Sequence, residues 1–190
     1  MRADILSAEN GVFTVSGFFS SDECRASIDD AERRGFEDAP ITTKTGFVMA
    51  PDVRNNTRVI VDDVARAEAC WERLRALVPA RRGPWTAFGL NERFRLYRYD
   101  VGQQFAWHRD GAFERERDQR SRLTVLVYLN DDFDGGATEL ALGERLVVEP
   151  RAGMALLFAH SVKHRGAPVI RGRKYVLRTD VMYRFTGSPA

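Results

Sequence analysis

Residues 122–141 read RLTVLVYLNDDFDGGATELA. The first eight are dominated by branched and aromatic side chains, which suit a pleated, buried surface. In a strand, Thr124, Leu126 and Tyr128 share one side, because side chains alternate with period two. The polar run that follows ends in Gly135-Gly136, a turn signal, and ATELA then resumes a strand. The same texture extends both ways. Downstream, strands are predicted at 145–149, 154–159, 163–168 and 173–184, punctuated by Pro150, Gly153, Gly166 and Gly172. Upstream, they are predicted at 92–99 and 104–108, either side of Asp100-Val101-Gly102. Short strands at this spacing predict a sandwich or jelly-roll barrel.

The first 90 residues have a different grain. Residues 11–19 (GVFTVSGFF) and 57–62 (TRVIVD) read as strands. Ser20 and Glu23 stand at capping-box spacing, each able to satisfy a backbone donor of the other. A helix to about Arg34 follows, with Cys24, Ile28 and Ala31 on one face. A second helix is expected over 63–78, where Ala67, Cys70, Trp71, Leu74, Leu77 and Val78 recur at helical spacing and Pro79 ends the run. Residues 113–121 (FERERDQRS) are charged and aperiodic, and read as a mobile loop.

Composition narrows the functional classes. With 190 residues, 44% hydrophobic and 29% charged, the chain has enough apolar material for a core and too much for disorder. No run approaches the roughly 20 apolar residues of a membrane helix, and MRADILSAENGVF has no leader-like apolar stretch. Cys24 and Cys70 show no metal-type spacing. A cytoplasmic protein with no membrane partner is expected. A formal net charge of +2 offers little attraction for nucleic acid. Lysine occurs only at 44, 163 and 174, and histidine only at 108, 160 and 164. Any histidine-based chemistry must come from that short window.

Within it, FAWHRDG (105–111) puts His108 and Asp110 on one side of a strand end. An imidazole and a carboxylate there can chelate a divalent metal, although the motif alone is a weak signal. A third ligand would come from His160 or His164. Two histidines and one carboxylate form the facial triad of non-haem Fe(II) oxygenases. On the last strand, Lys174, Val176, Arg178 and Asp180 share a face, and an inward lysine needs an anion.

Four ordered motifs over residues 95–184 resemble the catalytic core of the Fe(II)/2-oxoglutarate-dependent dioxygenases, in particular the prolyl 4-hydroxylase-like branch. They are Tyr99 to Asp110, Arg122 to Asn130 with Gly135-Gly136-Ala137-Thr138, Pro150 with Gly153, and His164 to Lys174. The resemblance implies a mainly β fold with α, with a double-stranded β-helix (jelly-roll) core over 91–186; with no repeat and no linker in the sequence, one domain from 1 to 190 is expected, its N-terminal helical layer forming a helical/strand support over 1–90. The resemblance implies His108, Asp110 and His164 as metal ligands, and leaves His160 structural, because His164 has the family's spacing to Lys174. It implies Fe(II) as cofactor, with 2-oxoglutarate and O2 as co-substrates. Lys174 and Tyr128 would then meet the distal carboxylate of 2-oxoglutarate, and Tyr99 would flank the chelate.

The implied activity is hydroxylation of an unactivated C–H in an amino-acid, peptidyl or small-metabolite substrate, with release of succinate and CO2. A carboxylate at Asp110 favours hydroxylation, since related halogenases lack one there. Arg178 and Asp180 depart from the better-known branch; they form a buried ion pair or grip a polar substrate. Arg54, in the polar run 53–58, is a further substrate-binding candidate. An AlkB-like nucleic-acid demethylase is disfavoured by the spacing of Arg171, Arg173 and Arg178. The complete triad and Lys174 disfavour a non-catalytic cupin-type binding module. Oligomeric state is not legible.

Overall fold

The computed structural model describes residues 1–43 and 46–187. Twelve strands and two helices position the site: β1 (Arg2–Ser7), β2 (Val12–Ser16), α1 (Ser21–Arg34), β3 (Thr57–Asp62), α2 (Val64–Leu74), β4 (Trp85–Leu90), β5 (Arg93–Tyr99), β6 (Phe105–His108), β7 (Gln119–Tyr128), β8 (Thr138–Leu142), β9 (Glu144–Val148), β10 (Ala155–Ala159), β11 (Lys163–Gly166) and β12 (Lys174–Phe185). Shorter paired segments fill the connections.

Two antiparallel sheets face each other, as a jelly roll requires. The large sheet runs β1-β2-β10-β7-β12-β5-β3, and β4 pairs the far end of β12. The small sheet runs β6-β11-β8-β9. The register sorts the side chains. Leu126 lies opposite Arg178 and Tyr128 opposite Val176. Lys174 lies opposite Tyr99, and Arg178 opposite Arg95. These residues face the small sheet. The alternate set, including Val125, Val127, Leu157, Leu177, Leu96 and Phe94, forms a core on the other face. Both faces of β12 are therefore covered, and its sequence does not alternate cleanly.

The helices back this second face. Cys24 and Ala31 of α1, and Ala67, Cys70 and Leu74 of α2, are buried. Ser20 caps α1 with the expected box: its hydroxyl accepts from Glu23 N–H, and the Glu23 carboxylate accepts from Ser20 N–H. Arg73 of α2 reaches Glu23 at 2.6 Å and the Phe18 carbonyl at 3.0 Å, tying the helices together.

The strands of the first 90 residues, β1, β2, β3 and β4, extend the large sheet. Two expectations need correction. Helix α2 ends at Leu74 instead of 78, with Arg75 as its cap and a tighter turn after it. The 113–121 stretch is not an irregular loop. Glu114–Glu116 pairs with the start of β7, and Ser121 N–H donates to the Phe113 carbonyl. Its charges lie on an exposed hairpin, where no alternation is needed.

Candidate active site

The site begins with one cross-strand pair. Antiparallel pairing of β6 and β11 sets His108 opposite His164, with ring centroids 4.2 Å apart. Each ring is oriented by its own backbone. The Ala106 carbonyl accepts from His108 Nδ1 at 2.7 Å, and the Val162 carbonyl from His164 Nδ1 at 3.0 Å. A carbonyl only accepts, so both Nδ1 atoms carry the hydrogen and both Nε2 lone pairs point inward. Each Nε2 lies 3.7 Å from an Asp110 oxygen. One donor atom from each of the three residues falls within 4.8 Å of the others, a set able to hold one metal ion.

Electrostatics keep these groups in ligand form. Burial, then the neighbouring His164, drives His108 down to about 4. Burial also lowers His164. Burial alone would raise Asp110, but Arg178, the two imidazoles and Thr124 outweigh it and hold the carboxyl well below the usual range. Arg178 Nη1 lies 2.9 Å from Asp110 Oδ1, and Nη2 lies 3.2 Å from Asp180 Oδ1. Thus Arg178 and Asp180 do form a buried pair, and that pair reaches a member of the triad.

The other Asp110 oxygen is held by a directional chain. Thr124 Oγ1 donates to Oδ2 at 2.5 Å and accepts from His160 Nδ1 at 2.9 Å. His160 Nε2 then accepts from Ser121 Oγ at 2.8 Å, and Ser121 Oγ accepts from Phe113 N–H at 2.8 Å. His160 therefore stays outside the triad and supports it through Thr124.

Two cavities meet at the triad. The inner one is narrow, about 40 Å³, and ends at Tyr99, Thr138, Val176 and Lys174. Lys174 is 3% exposed. Its Nζ donates to the Gly136 carbonyl at 2.6 Å and lies 5.3 Å from the Tyr99 ring centroid. No carboxylate among the described residues pairs with it, and burial drives it down to about 7. Gly136 has φ 65°, and a Cβ there would stand 3.1 Å from Lys174 Cδ, so glycine suits both the turn and the lysine's path. Tyr128 stands behind the wall. Its hydroxyl donates to Thr138 Oγ1 at 2.7 Å, and Thr138 is the residue that faces the chamber.

The outer cavity, about 530 Å³, opens over His108 and Asp110 and includes Arg54, Arg178 and Asp180. Arg54 arrives from a remote segment because its strand bridge pairs it with Phe105. Phe105 stacks on His108 at 3.5 Å between centroids. Sequence reasoning did not assign Thr124, Thr138, Tyr97, Phe105 or Arg95 to the site, and it reached Arg58 only as the end of the polar run 53–58. The inward alternation of Arg95, Tyr97 and Tyr99 on β5 was the available signal for two of them.

A family model described as the 2OG-Fe(II) oxygenase superfamily matches residues 94–179, the span that carries both His108 and His164. The chain is 25% identical over 206 residues to prolyl 4-hydroxylase 1 of Arabidopsis thaliana, covering 92% of this chain and 70% of that one. A viral collagen prolyl hydroxylase from Paramecium Bursaria Chlorella virus-1 superposes with a TM-score of 0.67 at 17% identity, covering 94% of this chain and 99% of that one. A prolyl hydroxylase from Trichoplax adhaerens, solved with a hypoxia inducible factor peptide fragment, superposes with a TM-score of 0.71 at 19% identity, covering 93% and 84%. Family model, relative and fold converge on the same strands that carry the triad: residues 94–179 match the 2OG-Fe(II) oxygenase superfamily, the chain is similar to prolyl 4-hydroxylases along most of its length, and it is an oxidoreductase that works with Fe(II), 2-oxoglutarate and O2.

Proposed function

We propose that residues 1–190 act as one catalytic domain that hydroxylates an unactivated C–H of an amino-acid, peptidyl or small-metabolite substrate. In this reading His108, Asp110 and His164 hold the iron, and Lys174 anchors 2-oxoglutarate. The carrying observation is one juxtaposition: a buried lysine without an acidic partner among the described residues lines the same chamber as a His-Asp-His cluster. Bound Fe(II), with 2-oxoglutarate and O2, supplies the oxidising chemistry, and succinate and CO2 are the expected co-products.

The chain's own residues have distinct tasks. The Ala106 and Val162 carbonyls fix the imidazole tautomers. Thr124 and Arg178 hold the two oxygens of Asp110 and keep it ionised. Lys174 offers a buried ammonium to a distal carboxylate. Thr138, already accepting from Tyr128, has its own hydroxyl hydrogen free to donate to that carboxylate. Tyr99 walls the chamber. Arg54, Arg178 and Asp180 face the outer cavity, where the C–H substrate would enter. The Trichoplax adhaerens relative was solved with a peptide, which supports a peptide or small molecule there. Both cysteines are buried and unpaired, in keeping with a cytoplasmic setting.

The test is succinate formation. With Fe(II), 2-oxoglutarate and air, the wild-type chain should produce succinate and Asp110→Ala should not. A panel of amino acids and peptides that accelerates wild-type turnover would identify the substrate. Equal succinate from both chains would overturn the metal assignment.

A further inference from the structure

The outer cavity carries an imbalance of charge. Arg54, Arg58, Arg95, Arg109 and Arg178 line it, against Asp110 and Asp180. The two aspartates are already engaged: Arg178 pairs with both, and Arg95 lies 3.6 Å from Asp180 Oδ2. Arg109 turns to the Ser161 carbonyl. Arg54 and Arg58 have no carboxylate within 4.0 Å among the described residues.

Arg54 is the more informative. It is 5% exposed. Its Nε donates to Asn56 Oδ1 at 2.8 Å, while its Nη2 is buried with no hydrogen-bond partner among the described residues. Its guanidinium lies 4.5 Å from both the Tyr97 and Phe105 ring centroids. A buried donor left unpaired is costly, and aromatic walls hold a cation in place without neutralising it. Arg58 lies opposite Tyr97 in the register, on the same face of the sheet. Glu37 lies opposite Arg58 on the other side, beyond ion-pair distance, so two guanidinium groups without a salt-bridged carboxylate among the described residues stand beside one cavity. One of them is a single ring away from His108, since Phe105 stacks between them.

We infer that Arg54 and Arg58 receive a carboxylate of the substrate, so that the molecule hydroxylated is an acid. This rests on the function proposed above, because it treats the outer cavity as the substrate entrance. Arginine suits the task through its planar, paired donors. The same chemistry is offered by a free small acid and by an acidic residue in a peptide.

Binding is measured without air on the wild-type chain loaded with Fe(II) and saturating 2-oxoglutarate, so that the Lys174 chamber is filled. The probes are N-acetylglycine and N-acetylleucine, their neutral amides, and an end-capped peptide with one glutamate. At least one acid should bind about ten-fold or more tightly than its neutral counterpart. Arg54→Gln should bring that ratio close to one, and Arg58→Gln should lower it. Arg54→Lys, which keeps the charge without the fork, should retain part of the preference. Preference for the free acids assigns a small-molecule acid, and preference for the glutamyl peptide assigns an acidic peptide. If the chain forms its iron–2-oxoglutarate absorption yet binds acids and amides equally, the inference fails alone. If that absorption never forms, the underlying function fails.

Discussion

Lys174 is the residue on which physical chemistry and function meet most directly. Its folded value of about 7 lies far below its ordinary 10.5 because burial disfavours the charge. Between those values the unfolded chain holds the proton and the folded chain sheds it. The unfolded state then binds more protons, so this group makes stability rise with pH from about 7 to 10.5. A dianion seated on the ammonium reverses the preference, so 2-oxoglutarate affinity should fall over the same window. Lys174→Met should remove both trends, lose 2-oxoglutarate binding, and stabilise the unliganded chain by about 1 kcal/mol or more, since a buried unpaired charge is gone. Urea midpoints and calorimetric titration across pH test this; a destabilised Lys174→Met chain with intact 2-oxoglutarate affinity contradicts it. Thr124 offers a second test. Thr124→Val leaves Asp110 Oδ2 without its donor and should weaken Fe(II) binding about 10- to 100-fold. Thr124→Ser, which keeps the hydroxyl, should restore most of that affinity, and an unchanged iron isotherm for Thr124→Val would show that the chain of bonds through His160 does not support the triad.

Individual elements show what the sequence could and could not convey. The Ser20–Glu23 box is a local pattern, and the structure builds it as read. Ser20→Ala should cost about 1 kcal/mol in urea unfolding and leave iron binding intact; no loss of stability would mean the cap is idle. The core strands were legible for the same reason: short apolar runs between glycine-rich turns encode themselves locally. The hairpin at Glu114–Glu116 was not, because its exposed charges obey no alternation and its pairing with β7 is set by neighbours. Arg54 is a candidate in the sequence only through the polarity of its run and the place of that run in similar folds. Its place beside Phe105, fifty positions away in the chain, comes from a strand bridge that no local pattern records. The opposition of His108 and His164 in the β6–β11 register agrees with the spacing argument from Lys174 that preferred His164 to His160. Thr138 was quoted within its motif yet missed as a chamber wall, because nothing local shows that Tyr128 stops one hydroxyl short of the cavity.

At the scale of the molecule, the design is a sheet used on both faces. One face is sealed by α1 and α2 against an apolar core; the other holds a row of charge between two sheets. That row should destabilise the unliganded protein, since Lys174 has no carboxylate partner among the described residues and Arg95 faces Arg178 across neighbouring strands. Ligands that neutralise it should therefore stabilise strongly. Iron and 2-oxoglutarate at 100 times their dissociation constants should each add about 2.7 kcal/mol by linkage alone. The most direct measurement is an anaerobic titration of the wild-type chain with Fe(II) and 2-oxoglutarate, followed by visible absorption, beside Asp110→Ala and Lys174→Met. A weak visible band should grow to one equivalent in the wild type, with 2-oxoglutarate tightening iron binding. The band should be absent in Asp110→Ala, and in Lys174→Met it should need far more 2-oxoglutarate. No band in the wild type, or an equal band in all three chains, would contradict the assignment of His108, Asp110, His164 and Lys174.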